Sequence, residues 1–384
     1  MTVAAYAEDL AVSRQRQSPL LLAVDGNSLL HRAFHAMSGE GLRDDAGRPI
    51  WALKGLISFL ASAASRMTPD AMVIGFDAPE TSVRREEYPP YKAHRVPKPD
   101  ELCQQLDTAC GLLAEAGFCV VTPDGYEADD VLATAAALAR RSGYRAAVMT
   151  SDRDAFALID DNTSVLRVLN GGIDVSPVLT AQKLPLLCGV TASQYRDFAA
   201  LRGDTSDNLP GVGGIGAKTA AGLLAVFACL DDAYAALDTG HEQDVIDAIG
   251  AVATAKLKTP DARAGVERNR RLMAMRNDLE LPAFELMRLP MDPIPLQKAL
   301  RARQIYLGPS LWALVGASPP NWLAERQGQW TGTEIDSSGA AGFGGGQRDP
   351  IARAQADRVM HNTAPVNPRR PSRYAVSDDQ LSLF

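Results

Sequence analysis

The chain has little of what secretion, zinc binding or membrane insertion would require. Its five cysteines (Cys103, Cys110, Cys119, Cys188 and Cys229) are an odd number without a CxxC pair, which argues against a zinc ribbon and fits a reducing compartment. No apolar run approaches the length of a bilayer span. The first 18 residues lack the continuous apolar stretch of a signal peptide, so a cytoplasmic protein is expected. Histidine is scarce as well. His31 and His35 have the spacing of a zinc pair, but HRAFH lacks the HExxH glutamate and any third ligand nearby, so packing or nucleic-acid contact suits them better.

What is abundant is carboxylate at particular places. Asp25, Asp77, Glu127, Asp129, Asp130, Asp152 and Asp154 follow four apolar β-like runs, LLLAV (20–24), MVIGF (72–76), FCVVT (118–122) and AAVMT (146–150). Asp204 and Asp207 bring the set to nine. If the runs are neighbours in one parallel sheet, the acids converge at its carboxyl edge, where ligands of open α/β sheets bind. Two carboxylates about 5 Å apart repel by about 3 kcal/mol at an effective dielectric of about 20, so convergence needs a counter-charge. With oxygen as the only donor type, a hard cation such as Mg²⁺ or Mn²⁺ fits best. Phosphodiester hydrolysis is the chemistry that most often uses such a pocket.

The formal net charge of −7 seems to disfavour nucleic acid, but setting aside the nine clustered acids leaves a balance of +2. The stretch RREEYPPYKAHR (84–95) interleaves cations with aromatics, a pattern suited to gripping a single strand.

Strands and helices alternate from residue 19 to 190, which predicts an α/β domain with a largely parallel sheet. Helical patterns lie at 53–65, 100–116, 127–141 and 154–160. After residue 190 the pattern is mostly helical, at 192–202, 216–228, 231–237, 243–258 and 261–276. Residues 317–384, rich in Gly, Pro, Ser and Arg, have the composition of a disordered tail.

LRGDTSDNLPGVGGIGAKTA (201–220) mimics two nucleotide motifs. Gly211, Gly213 and Gly216 spell GxGxxG but follow a helix rather than a strand, and Ala217 breaks the Gly-Lys step of a Walker loop. A glycine turn between helices, holding a duplex phosphate through backbone N–H groups with Lys218 adding charge, is the better reading.

Together AVDGNSLLHRAFHA, GFDAP, YPPYKAHR, GYEADDVLAT, TSDRD and the glycine segment, in this order, resemble the 5′ nuclease family, which includes the 5′-3′ exonuclease domain of DNA polymerase I and flap endonucleases. The resemblance covers residues 20 to 300 and, with no polymerase domain following, is to the stand-alone bacterial form. It implies a PIN-like domain at 19–190 with a helical arch at 80–116, and a helical DNA-binding region at 191–316 with a helix-three-turn-helix.

On the family pattern Asp25, Asp77, Glu127 and Asp129 surround one metal, with Asp130 close by. Asp152, Asp154, Asp204 and Asp207 surround the others, two or three ions in all. Arg32, Arg84, Tyr91, Lys92 and Arg95 match positions that contact the scissile phosphate or 5′ strand. Gly211, Gly213, Gly214, Gly216, Lys218 and Thr219 match the turn that holds duplex DNA and a K⁺ ion. Ser151 and Arg153 depart from the usual glycine and lysine.

The terminal QLSLF resembles the peptide by which bacterial replication proteins dock on the sliding clamp, through Gln380, Leu381, Leu383 and Phe384. The implied protein is a monomeric, nucleoid-associated nuclease acting on flapped or branched DNA and RNA-primed DNA, with no membrane partner. A non-catalytic junction binder should have lost metal carboxylates, and an RNA-only PIN ribonuclease should lack the 201–219 module.

Overall fold

The computed structural model describes residues 18–78 and 82–319. The clamp-like peptide Gln380–Phe384 and nearly all of the N-terminal extension lie outside them.

The four apolar runs form β1 (Leu20–Asp25), β2 (Ala71–Gly75), β3 (Cys119–Val121) and β4 (Arg145–Thr150). Two further strands, β5 (Thr163–Arg167) and β6 (Val178–Leu179), complete a six-stranded sheet of order β3-β2-β1-β4-β5-β6. Every neighbouring pair is parallel except β5–β6. β1 is buried along its whole length because helices cover both faces, which is why it reads as a continuous apolar run rather than an alternation. Leu21 and Ala23 pack with Val131 and Leu132 of helix Ala128–Arg141, whereas Leu20, Leu22 and Val24 pack with helices Gly26–Met37, Trp51–Met67 and Asp100–Glu115. From β1 the chain builds outward to β2 and β3, then crosses to β4 on the opposite side. The carboxyl end of β1 is therefore the switch point where the crevice opens.

The helical region contains Ala192–Arg202, Ala217–Val226, Leu230–Asp238 and Pro260–Leu272. The helix expected over 243–258 divides into Glu242–Ile249 and Ala251–Leu257 because Gly250 adopts φ +82°.

Three expectations need correction. The pattern at 154–160 is only a short 3₁₀ turn, Asp154–Leu158. Helix Asp100–Glu115, assigned to the arch, is a core layer. Its face of Leu102, Ala109, Leu112 and Leu113 is buried, and buried Gln105 accepts from Ala52 N (2.8 Å) and Leu53 N (3.3 Å), capping helix Trp51–Met67. Finally, helices Pro293–Arg301 and Ser310–Leu314 leave the helical region and return to the sheet domain, where Leu296, Leu300, Leu311 and Leu314 complete the core beneath β1.

Candidate active site

Each acid is placed by a strand end or a helix cap. Asp25 closes β1 and caps helix Gly26–Met37, accepting from Ser28 N at 2.9 Å and from Thr150 Oγ1, at the end of β4, at 2.7 Å. It is 4% exposed. Burial, then the charges of Asp77 and Asp152, push its carboxyl up to about 7. Asp77, just past β2, accepts from the Asn27 side-chain amide and from Ala128 N (2.9 Å), fixing the start of helix Ala128–Arg141 against the crevice. Glu127 is the N-cap of that helix and Asp129 lies in its first turn. Burial, followed by Asp25 and Asp152, holds the Asp129 carboxyl well above its ordinary range.

A second group lies beyond β4. Asp152 accepts from Asp154 N at 3.0 Å and its own N–H donates to Thr150 Oγ1 at 3.0 Å. The short hairpin β7 (Gly203–Asp204) and β8 (Leu209–Pro210) carries Asp204 at the end of its first strand and Asp207 on its loop, and Asp204 accepts from Ser206 N at 2.7 Å. Burial, then Asp152, Asp204 and Asp207, holds the Asp154 carboxyl well above the usual range. One Asp154 oxygen, Oδ1, is buried with no hydrogen-bond partner.

Cations from 84–95 fold onto this pocket. Lys92 Nζ stands 2.9 Å from Glu127 Oε1 and 3.9 Å from Asp207 Oδ2, and the buried Tyr91 hydroxyl donates to Glu127 Oε2 at 3.1 Å. Arg95 pairs with Asp207 Oδ1 at 2.5 Å. The segment is docked by backbone too, since Lys92 N donates to Asp207 O (3.0 Å) and Asn208 Nδ2 to Pro90 O (2.8 Å). Lys92 adopts φ +54°, an uncommon conformation that these contacts hold. Burial alone would lower the Lys92 pKa, but Glu127 and Asp207 outweigh it and the ammonium is held above its ordinary value.

Asp130 and Arg84 are paired with each other beside the pocket. Asp130 is fully buried and forms a two-pronged pair with Arg84, 2.7 Å at each prong, while also accepting from Glu127 N (3.0 Å) and Arg276 N (2.8 Å). Arg84 further donates to Leu272 O (2.8 Å) and Ala274 O (3.1 Å). The pair ties helix Val83–Glu87 to the end of helix Pro260–Leu272, and Arg84 also lines the acidic pocket with Tyr91, Glu127, Asp129, Asp154 and Asp207. Arg32 stands apart from this set and donates to Asn170 Oδ1 at 2.8 Å. His31 is pushed down to about 4 by burial, then by Lys98, His35 and Arg95, so it is neutral at neutral pH.

Among the described residues no three His, Cys, Asp or Glu side chains are arranged to enclose a metal ion as they stand. The reason is visible in the pairing: Glu127 is engaged by Arg84, Tyr91 and Lys92, and Asp207 by Lys92 and Arg95. The donor chemistry nevertheless fits a hard cation. It is all carboxylate, Asp25, Asp129, Asp154 and Asp207 are all pushed upward with burial as the largest cause, and an orphaned Asp154 oxygen is at hand. Of the supporting residues, Asn27 and Thr150 lie within AVDGNSLLHRAFHA and TSDRD, two positions from an acid, whereas Asn269 lies in no segment that the sequence marks.

The glycine segment forms a turn between helices Ala192–Arg202 and Ala217–Val226, which Gln194 Nε2 ties together by donating to Leu224 O at 2.7 Å. Val212 and Ile215 are buried, while Gly213, Gly214, Gly216 and Lys218 are exposed and Thr219 is half-buried. Gly214 has φ +86°. Gly211 is required for close packing instead, since a Cβ there would lie 2.2 Å from Arg202 O. Fully buried Asn269 stitches the turn by donating to Ala200 O (3.1 Å) and Pro210 O (2.9 Å).

Comparison with known proteins agrees with this architecture. Residues 20–184 match the model of the 5′-3′ exonuclease N-terminal resolvase-like domain, and residues 190–295 that of the 5′-3′ exonuclease C-terminal SAM fold. The chain is 37% identical to DNA polymerase I of Mycobacterium tuberculosis over 275 residues, which is 71% of this chain and 29% of that protein. It is 32% identical to DNA polymerase I of Deinococcus radiodurans over 329 residues, 84% of this chain and 33% of that protein. The chain thus spans about a third of the length of these relatives. The fold is similar to that of T5 5′-exonuclease, with a TM-score of 0.50 at 21% identity, covering 66% of this chain and 89% of that one. With both domain models matched in order across residues 20–295, the chain belongs to the 5′-3′ exonuclease family.

Proposed function

We propose that this protein is a metal-dependent, structure-specific 5′ nuclease that hydrolyses phosphodiesters at 5′ flaps and 5′ ends of DNA and RNA primers in replication and repair. The observation that carries the reading is Asp154, a carboxylate with a buried, unpartnered oxygen facing the repulsion of Asp152, Asp204 and Asp207. The T5 5′-exonuclease structure, which has divalent metal ions (zinc) bound, supports a cation here. Asp25, Asp77, Glu127 and Asp129 would hold one ion, and Asp152, Asp154, Asp204 and Asp207 the others, with Mg²⁺ or Mn²⁺ suiting an all-oxygen set.

The chemistry such ions supply when bound is activation of a water for in-line attack and compensation of charge at the leaving 3′ oxygen. The chain's own residues do the rest. Lys92 and Arg95, once drawn from Glu127 and Asp207, set positive charge against the reacting phosphate. Tyr91 and Glu127 fix the base of that segment. The exposed Gly213–Gly216 backbone and Lys218, at the start of a ten-residue helix, hold a duplex phosphate independently of sequence, with K⁺ at the turn carbonyls. The same proposal covers a monomer in the nucleoid that docks on the sliding clamp through Gln380–Phe384.

Titration of Mg²⁺ or Mn²⁺ against a labelled 5′-flap substrate, with blunt duplex and single strand alongside, tests the reading. Cation-dependent release of the flap is expected, and a folded protein inert at every cation concentration would overturn the proposal. Deleting residues 380–384 should leave that activity intact and abolish clamp binding; equal clamp affinity would remove the docking role.

A further inference from the structure

Several arginines in the described residues have an acidic partner: Arg84, Arg95, Arg140, Arg263, Arg270 and Arg276 all lie within ion-pair distance of a carboxylate. Three half-buried arginines on the β4–β5 side of the crevice, Arg153, Arg167 and Arg202, do not. They are arranged around a row of aromatic rings. Phe156 and Tyr195 lie 5.4 Å apart between centroids, and Tyr195 and Phe198 5.7 Å apart. The Arg167 guanidinium sits 5.7 Å over Phe156 at one end of the row, and that of Arg202 5.3 Å over Phe198 at the other.

Arg153, Arg167 and Arg202 all act on the Cys188 thiol, while Arg202 also acts on Asp154 and Asp152 on Arg167, in neither case within ion-pair distance. Burial and then Arg153 hold Arg167 below its ordinary value. Within this group two polar atoms are buried without a hydrogen-bond partner, Arg167 Nε and the hydroxyl of Tyr195, a residue only 1% exposed. Gathering cations without a carboxylate in ion-pair distance is unfavourable in the free protein, and an anion supplied from outside compensates it.

We propose that Arg153, Arg167 and Arg202, set around the buried Tyr195 ring, form an anion site beside the carboxylate pocket that takes a backbone phosphate of the bound nucleic-acid strand. Its position supports that choice of ligand. Arg153 stands between Asp152 and Asp154, and Arg202 two residues before Asp204, so a strand in the acidic crevice passes the cluster. Arg32, whose guanidinium feels Arg167, continues the cationic path along helix Gly26–Met37. The inference rests on the nuclease reading for the presence of the strand.

The experiment measures the salt dependence of binding to a fluorescent 5′-flap oligonucleotide in Ca²⁺, together with thermal unfolding of the free, metal-depleted protein. Arg167→Gln and Arg153→Gln should each flatten the slope of log K against log salt by about 0.7 to 0.9, the release expected for one lost phosphate contact. Arg167→Lys should keep most of the slope, and exposed Arg301→Gln should keep all of it. Because the charge is unpaired in the free protein, Arg167→Gln should melt at the wild-type temperature or above it. A clear fall in melting temperature, with the Arg153→Gln slope unchanged, would show a structural role and overturn the site.

A parallel arm titrates inorganic phosphate. Weakened phosphate binding with an unaltered flap slope would overturn the assignment to the strand. If the wild type binds no flap at all, the nuclease reading fails together with this one. If it binds flap normally and the variants match it, this inference alone fails.

Discussion

At the scale of single residues, the acids conflict with one another until something compensates them. Asp154→Asn removes one charge from a group raised by burial and by three neighbouring carboxylates, so the metal-free variant should melt higher than wild type. Cleavage should nevertheless fall by roughly 10³ or more, a transition-state loss of about 4 kcal/mol. Differential scanning fluorimetry and single-turnover kinetics on the flap substrate check the two halves. Asp25 adds a pH signature. Its carboxyl titrates near 7 when folded and at about 3.9 when unfolded, so between those values the native state holds the extra proton. Stability of the metal-free protein should therefore decline as pH rises from about 4 to 7 through this group. Melting curves that rise over that interval in the wild type, and not in Asp25→Asn, would contradict the assignment.

At the scale of elements, Arg84 and the glycines show where sequence patterns divide. RREEYPPYKAHR reads as one basic strip, yet Arg84 is a strut on buried Asp130 at the pocket wall whereas Lys92 and Arg95 pair with Glu127 and Asp207. Arg84→Gln should lower stability by about 3–5 kcal/mol by leaving the Asp130 charge under-compensated. Asp130→Asn in the same chain should restore a good part of it, as urea denaturation of the single and double variants will show. Gly211, Gly213 and Gly216 likewise look equivalent in a motif. In space Gly211→Ala forces a Cβ into the Arg202 carbonyl and should unfold the turn, while Gly216→Ala meets nothing within 4 Å. Gly216→Ala should fold normally and weaken duplex binding about equally for any base sequence, which fluorescence anisotropy on unrelated duplexes can measure.

At the scale of the molecule, the parallel sheet and the convergence of acids were legible because buried central strands are long apolar runs, with Asp25, Asp77 and Asp152 one or two positions past such runs. β5 and β6 were not, since TSVLR and VL are short and lie toward the sheet edge, where half-burial blurs the pattern. Nor could periodicity say which partner a helical face would find. Asp100–Glu115 and the segment after Pro293 look like any amphipathic helix, and only the long-range packing beneath β1 claims them for the core. Asp130 shows the same limit for chemistry, because one carboxylate among nine became a structural ion pair on the strength of an arginine 46 positions away.

Lys92 and Arg95 rest on Glu127 and Asp207, so the free protein carries internal counter-ions in the place where a divalent cation would compete. On the proposed function, cation and substrate would then be heterotropic ligands. A phosphate strand that draws off the two side chains uncovers the carboxylates, and a cation that displaces the side chains makes them available to phosphate. Linkage makes the effect reciprocal: whatever factor flap DNA contributes to cation affinity, the cation contributes to flap affinity. Calorimetric titrations of Ca²⁺ with and without flap should return that common factor for the wild type. In Lys92→Gln, which has one fewer counter-ion to release, Ca²⁺ should bind the free protein more tightly and the factor should shrink toward one.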